Sequence, residues 1–176
     1  MKKELGHSLI SRIGDLHSES FFYNLADEFG VALGRHGGLL NADNDLELSE
    51  VENEVHDLSQ VFTGAFYDIL VDCYNNYRDD SLYDPAETLF RTGKQMRALL
   101  MQGIINSGNG EITFKEIATN MIAYAKSENW DHTWVDSIIK HFDRREIILE
   151  AQAKGVKKGW QNTSQLHRKL KKVNAA

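Results

Sequence analysis

One cysteine and one proline occur in 176 residues, and the chain has neither a long apolar run nor a stretch of alternating β-branched residues. The lone cysteine, Cys73, excludes an intramolecular disulfide and fits a reducing compartment, so a cytoplasmic location is expected. Its setting, LVDCYNNY, offers no activating group, and the residue reads as a small buried hydrophobe rather than a nucleophile. No segment approaches the roughly 20 continuous apolar residues that cross a bilayer. The N-terminal MKKELGHSLISRIGDL has two lysines but no apolar core or small-residue cleavage site, so a signal peptide is not expected. Without strands, there is no place for a phosphate loop or a G-x-S-x-G nucleophile elbow.

A second group of absences concerns metals. None of the seven histidines has another histidine four residues away, so the His-Glu-x-x-His helix of zinc hydrolases is missing. Glu52 and His56 are one helical turn apart, but no third ligand follows nearby. Two loops carry oxygen donors at partial EF-hand spacing. Residues 41–52 place Asn41, Asp43, Asp45 and Glu52 at positions 1, 3, 5 and 12, with Leu46 where glycine belongs. Residues 105–116 place Ser107, Asn109, Gly110 and Glu116 at positions 3, 5, 6 and 12, with Ile105 at the first ligand position. Glycine, asparagine and acidic residues are also the ordinary makings of interhelical turns.

What the chain does have is helical periodicity. Phe22, Leu25, Phe29 and Leu33 recur at spacings of three and four. HDLSQVFTGAFYDILVDCYNNY repeats the pattern and is apolar enough to be a central helix. Asp84 followed by Pro85 predicts a capped helix start, and Thr113 with Glu116 predicts a capping box. DHTWVDSIIKHFDRREIILEAQ predicts one helix with Trp134, Ile138, Phe142 and Arg145 along a face, and a weaker basic segment follows from about Val156 to Val173. The expectation is an all-α protein, a single bundle of about six helices. Residues 1–150 form its helical domain and residues 151–176 a basic C-terminal helix or tail. That tail holds seven Lys and Arg and no acid, against 13 basic and 26 acidic residues in the rest. It reads as a solvated helix or one folding back on the acidic body, and neither nucleic acid nor a membrane is expected as a partner.

The stretch VHDLSQVFTGAFYDIL, Val55 to Leu70, resembles a segment of thermolysin-like (gluzincin) zinc metallopeptidases. Val55, His56, Ser59, Ala65, Phe66 and Tyr67 match it without a gap. GNGEITFKEIATNMIAYAKS and DSIIKHFDRREI are similar to later segments, so the resemblance covers roughly residues 20–148. It implies the helical C-terminal half of a two-part peptidase, in which His56 would donate a hydrogen bond to the oxyanion formed at a peptide carbonyl. The family's carboxylate that orients this histidine corresponds to position 51, here valine, which leaves Glu52 and Glu54 as substitutes. A supporting arginine has only Arg35 nearby. The family's His-Glu-x-x-His part would precede the matched region, so no cofactor is expected on this chain alone, and zinc is implied in a missing or partner region. A fragment, a split subunit with a zinc-bearing partner polypeptide, and a self-associating degenerate domain all remain open. So does a different class, a helical protein-interaction module that binds calcium through residues 41–52 and 105–116.

Overall fold

A computed structural model describes residue 16 and residues 42–79 and 81–156. Among these residues the protein is all-helical, with no strand. A short 3-10 turn, Leu48–Glu50, precedes five α-helices: α1 (Val55–Tyr77), α2 (Pro85–Asn106), α3 (Phe114–Ser127), α4 (His132–Arg144) and α5 (Glu150–Gly155). The helix expected around Phe22–Leu33, Arg35, and the basic segment beyond residue 156 lie outside the described residues.

Four of the five α-helices start at a side-chain cap. The Asp84 carboxylate accepts hydrogen bonds from the amides of Ala86 at 2.7 Å and Glu87 at 3.3 Å, and Pro85 occupies the first turn of α2, where no amide is needed. Thr113 Oγ1 accepts from the Glu116 amide at 3.1 Å to begin α3. The expected reciprocal bond takes another route, because Glu116 Oε1 accepts from the Gly108 amide at 3.2 Å and closes the loop instead. Asp131 accepts from the Thr133 amide and hydroxyl at 2.8 and 2.7 Å and starts α4.

The core is built on α1. Val61, Ala65, Ile69 and Cys73 recur every four residues and are fully buried, which lays one apolar stripe along the helix. Against it pack Met96 and Leu99 of α2, Ala118, Met121 and Ile122 of α3, and Ile138 and Phe142 of α4. Phe62 stacks on Phe114 at 5.0 Å and on Phe142 at 5.7 Å, linking three helices through one ring. At Gly103, an added Cβ would lie 2.6 Å from Met121 Cγ, so α2 and α3 approach there at a distance only glycine allows. A second, smaller cluster on α1 joins Tyr67, Val71 and Tyr74 to Leu16 and Ala42.

One expectation is corrected. Residues 131–152 do not form a single helix: α4 ends at Arg144, and α5 begins at Glu150. Glu146 adopts a left-handed φ of 60°. The amides of Ile147 and Ile148 turn back to the Phe142 carbonyl at 2.9 and 3.3 Å, which buries both isoleucines in the core. Burial of two large apolar side chains, worth about 1.5–3 kcal/mol each, outweighs the helical pattern of the segment. Lys126 of α3 then caps α5, its Nζ donating to the carbonyls of Ala153, Lys154 and Val156.

Gly64 of α1 is the tightest point. A Cβ there would stand 2.6 Å from Arg145 Nη1 and 2.7 Å from Asn44 Oδ1, whereas one at Gly93 of α2 would meet nothing within 4 Å. Gly64→Ala is therefore expected to destabilise the protein by about 1–3 kcal/mol. Gly93→Ala is expected to stabilise it by about 0.5–1 kcal/mol through helix propensity. Denaturant unfolding of the two variants beside the parent protein checks the opposite signs.

Candidate functional site

His56 lies in the first turn of α1. Its amide donates to the Glu54 carboxylate at 2.9 Å, so Glu54 serves as the N-cap. The imidazole is exposed, and among the described residues nothing hydrogen bonds to its ring. The Ser59 hydroxyl donates to the His56 carbonyl at 2.7 Å, and Val55 beside it is 73% exposed. Glu52 is also exposed, and no hydrogen bond joins it to His56. Its carbonyl accepts from the Glu54 amide at 2.8 Å, making a tight turn into the helix. Val51 packs against the core. Of the two carboxylates expected to stand in for the one that position 51 lacks, Glu54 is committed to the helix end and Glu52 faces outward.

The two oxygen-rich loops are mostly engaged in local structure. Ile105 belongs to α2, and the Ser107 hydroxyl donates to the Gly103 carbonyl at 2.9 Å while accepting from the Asn120 amide group at 3.1 Å. Glu116 serves Gly108, as described above. In the first loop, Asn44 Nδ2 donates to the Gln60 carbonyl at 3.1 Å, and Asp45 accepts from Arg144 at 2.6 Å. Asn41 lies outside the described residues. Among the described residues, no group of three or more His, Cys, Asp or Glu side chains is arranged to hold a metal ion.

The strongest polar geometry lies elsewhere, between α1 and α4. Gly64, Asp68 and Asp72 are spaced four apart on α1, and Ser137, His141 and Arg145 are spaced four apart at α4 and its C-cap. The two series mesh in antiparallel order. Ser137 Oγ donates to Asp72 Oδ2 at 2.9 Å, and His141 Nε2 lies 2.7 Å from the same oxygen. His141 Nδ1 faces Asp68 Oδ2 at 3.4 Å, long for a hydrogen bond but close enough for charge attraction. Arg145 Nη2 donates to Asp68 Oδ2 at 2.7 Å. Its Nη1 donates to Asn44 Oδ1 at 3.0 Å and the Leu46 carbonyl at 2.9 Å, and Nη2 also reaches the Asn44 carbonyl. Arg145 is fully buried. On the outer side, Lys140 Nζ donates to Asp72 at 3.1 Å.

Burial pushes the Asp68 carboxyl up, but the contacts and charges of His141 and Arg145 more than offset it, and its pKa lies below the ordinary 3.8. Asp72 is lowered too: burial raises it, and His141, Ser137 and Lys140 outweigh that effect. Cys73, next along α1, is fully enclosed, and burial with the nearby Asp72 charge pushes its thiol to about 12, which fits an inert side chain.

The α1–α4 network was not anticipated. The signal was a polar series at four-residue spacing inside an otherwise apolar helix, GAFYDILVD, matched by SIIKHFDRR. A second feature was also missed, an aromatic groove of about 490 Å³ where the end of α1 meets the start of α4. No helix among the described residues is long and apolar enough to cross a membrane.

Comparison with protein-family models, curated proteins and solved structures found no match. Nothing in these comparisons links the chain to gluzincin peptidases.

The network sets a pH dependence. Carboxylates with lowered folded pKa values stabilise the protein fully above the ordinary value, and that stability is lost as pH falls through the lowered one. Unfolding free energy is expected to decline on acidification below about pH 5, and Asp72→Asn to flatten that decline. Arg145→Met, which leaves Asp68 buried without the guanidinium that donates to it, is expected to cost about 3–5 kcal/mol at neutral pH. Denaturant titrations across a pH series test both.

Proposed function

We propose that this chain is a helical, metallopeptidase-like domain that supplies a transition-state-stabilising histidine to peptide hydrolysis and is not hydrolytic alone. The observation that carries the reading is the position of His56. The helix that bears it is buried along most of its length, yet this imidazole is exposed in the first turn, with no hydrogen bond from the described residues and an exposed valine beside it. A ring so placed can donate a hydrogen bond to a carbonyl oxygen that gains negative charge during attack, and such a donor is worth about 10²–10³ in rate. Zinc does not fit the described residues, since they gather no ligand set. In this reading the part played by the described residues is hydrogen-bond donation and the shaping of one wall. Glu52, exposed at the same helix entrance, is the nearest group left to tune the ring.

This reading requires a second polypeptide segment bearing His-Glu-x-x-His. Coding sequence adjacent to this chain is the place to find it, and co-expression is the test. The assembled protein is expected to cleave peptides, and His56→Ala to lower kcat by about 10²–10³ with little change in KM. Equal cleavage by the alanine variant would reject the role of His56.

An interaction module is the second reading, favoured by the outer face of α2. Phe90 and Met101 are 68% and 47% exposed there, with Ile104 and Ile105 near its end. In its calcium-binding form this reading rests on residues 41–52 and 105–116, and a calorimetric titration with calcium reads it directly.

A further inference from the structure

Tyr77 at the end of α1, Tyr83 in the α1–α2 connection, Tyr124 of α3, Trp130 in the α3–α4 connection and Trp134 at the start of α4 bring five aromatic rings together. Trp134 is buried and forms a floor. Tyr77 stands at 83° to it with centroids 6.1 Å apart, and Trp130 at 85° and 5.4 Å. Tyr124 meets Trp130 edge-on at 6.0 Å, and Tyr83 lies parallel to Tyr77 at 6.4 Å. Tyr77, Trp130 and Trp134 line one open groove of about 490 Å³, with the Asp131 carboxylate and the amides of Asn76 and Gln95 among its walls. An adjoining groove of about 360 Å³ shares Tyr77, Gln95 and Trp130 and is lined further by Lys94 and Arg91.

The two compartments differ in charge. Three aromatic rings in one groove wall give it the electron-rich surface that attracts alkylated ammonium groups. Asp131 is the one carboxylate among the described residues of that groove's wall. Its carboxyl is held below the ordinary value by the Thr133 hydroxyl and amide, so it is ionised at neutral pH. Across the shared Tyr77–Trp130 wall, Arg91 is held by Glu87 at 2.7 Å and lies over the Tyr83 ring at 4.5 Å. Lys94 has no such partner among the described residues. One side thus suits a cation and the other an anion.

We propose that these joined grooves bind a zwitterion in which a quaternary ammonium is linked to a phosphate, the chemistry of phosphocholine. The ammonium sits among Tyr77, Trp130 and Trp134 beside Asp131, and the phosphate meets Lys94. This site is separate from His56, at the opposite end of α1, and does not depend on the peptidase reading.

Two of the three tryptophans of the chain lie in the groove, so intrinsic fluorescence reports occupancy. Titration with phosphocholine is expected to quench and saturate. Choline is expected to bind more weakly, and its uncharged isostere 3,3-dimethylbutan-1-ol at least about tenfold more weakly than choline, as the loss of a cation–π contact requires. Lys94→Ala, an exposed change, is expected to weaken phosphocholine about three- to tenfold and leave choline unaffected. Trp130→Leu should abolish the response to both and Trp130→Phe should retain it, with thermal melts confirming that both variants fold. Binding to phosphatidylcholine vesicles but not to free phosphocholine would assign the lipid headgroup as the source of the same chemistry. Equal binding of the uncharged isostere, binding of neutral pyranose sugars instead, or no response to phosphocholine or phosphatidylcholine would overturn the proposal.

Discussion

The structure depends on one buried cation. Arg145 has no exposure to solvent, and an isolated guanidinium in that position would cost several kcal/mol in lost hydration. It is tolerated because four oxygens converge on its two terminal nitrogens: Asp68 Oδ2, Asn44 Oδ1 and the carbonyls of Asn44 and Leu46. Nε alone is left without a partner. The group also needs space, which the missing side chain of Gly64 provides. A charge, a carboxylate and an absent methyl group are therefore one constraint expressed at three positions, and none can change without the others.

That constraint shapes the backbone around it. Arg145 must enter the interior at the C-cap of α4, so the chain turns there, and Ile147 and Ile148 fold back beneath Phe142. The carbonyls that Arg145 captures belong to residues 44–46, and Leu48 donates to the Arg145 carbonyl at 3.3 Å. The approach to α1 is thus pinned to the far end of α4. Because this pinned segment leads into residues 51–54, the place where His56 begins its helix is set by an arginine 89 positions later in the sequence. The His141 bridge from Asp68 to Asp72 extends the same series toward the surface, and Lys140 ends it in solvent.

Much of this could be read from the residues, and the limits have physical causes. Local chemistry was legible: Asp84 with Pro85, Thr113 and Asp131 begin helices where their side chains can satisfy free amides, and the apolar stripe of α1 follows its period. The break after Arg144 was not legible, because local propensity favours helix through residue 152 and only long-range capture of Arg145 and burial of Ile147 and Ile148 oppose it. Asp68 and Asp72 looked like ordinary polar positions, since a carboxylate four residues from another gives no sign of which distant cation it will meet. His56 was singled out from a resemblance, and its ring is exposed. The orienting carboxylate expected near it has no hydrogen-bonded counterpart among the described residues.

The arrangement also divides α1 by role. Its middle is committed to the core on one side and to the Arg145 and His141 contacts on another, so side chains there have little freedom to serve a ligand. Only its ends escape. At the first turn the helix presents His56, and at the last turn Tyr77 turns toward the tryptophans of α3–α4. A helix of 23 residues is about 34 Å long at 1.5 Å per residue, too far for one small ligand to touch both ends. The proposed chemistry at one end and the proposed recognition at the other are therefore separate events on a common axis, coupled only if the polar series between α1 and α4 changes its packing. At the inner end of that series four oxygens hold the two terminal nitrogens of Arg145. The outer end, where half-exposed Asp72 is shared by Ser137, Lys140 and His141, is the position at which such a change would begin.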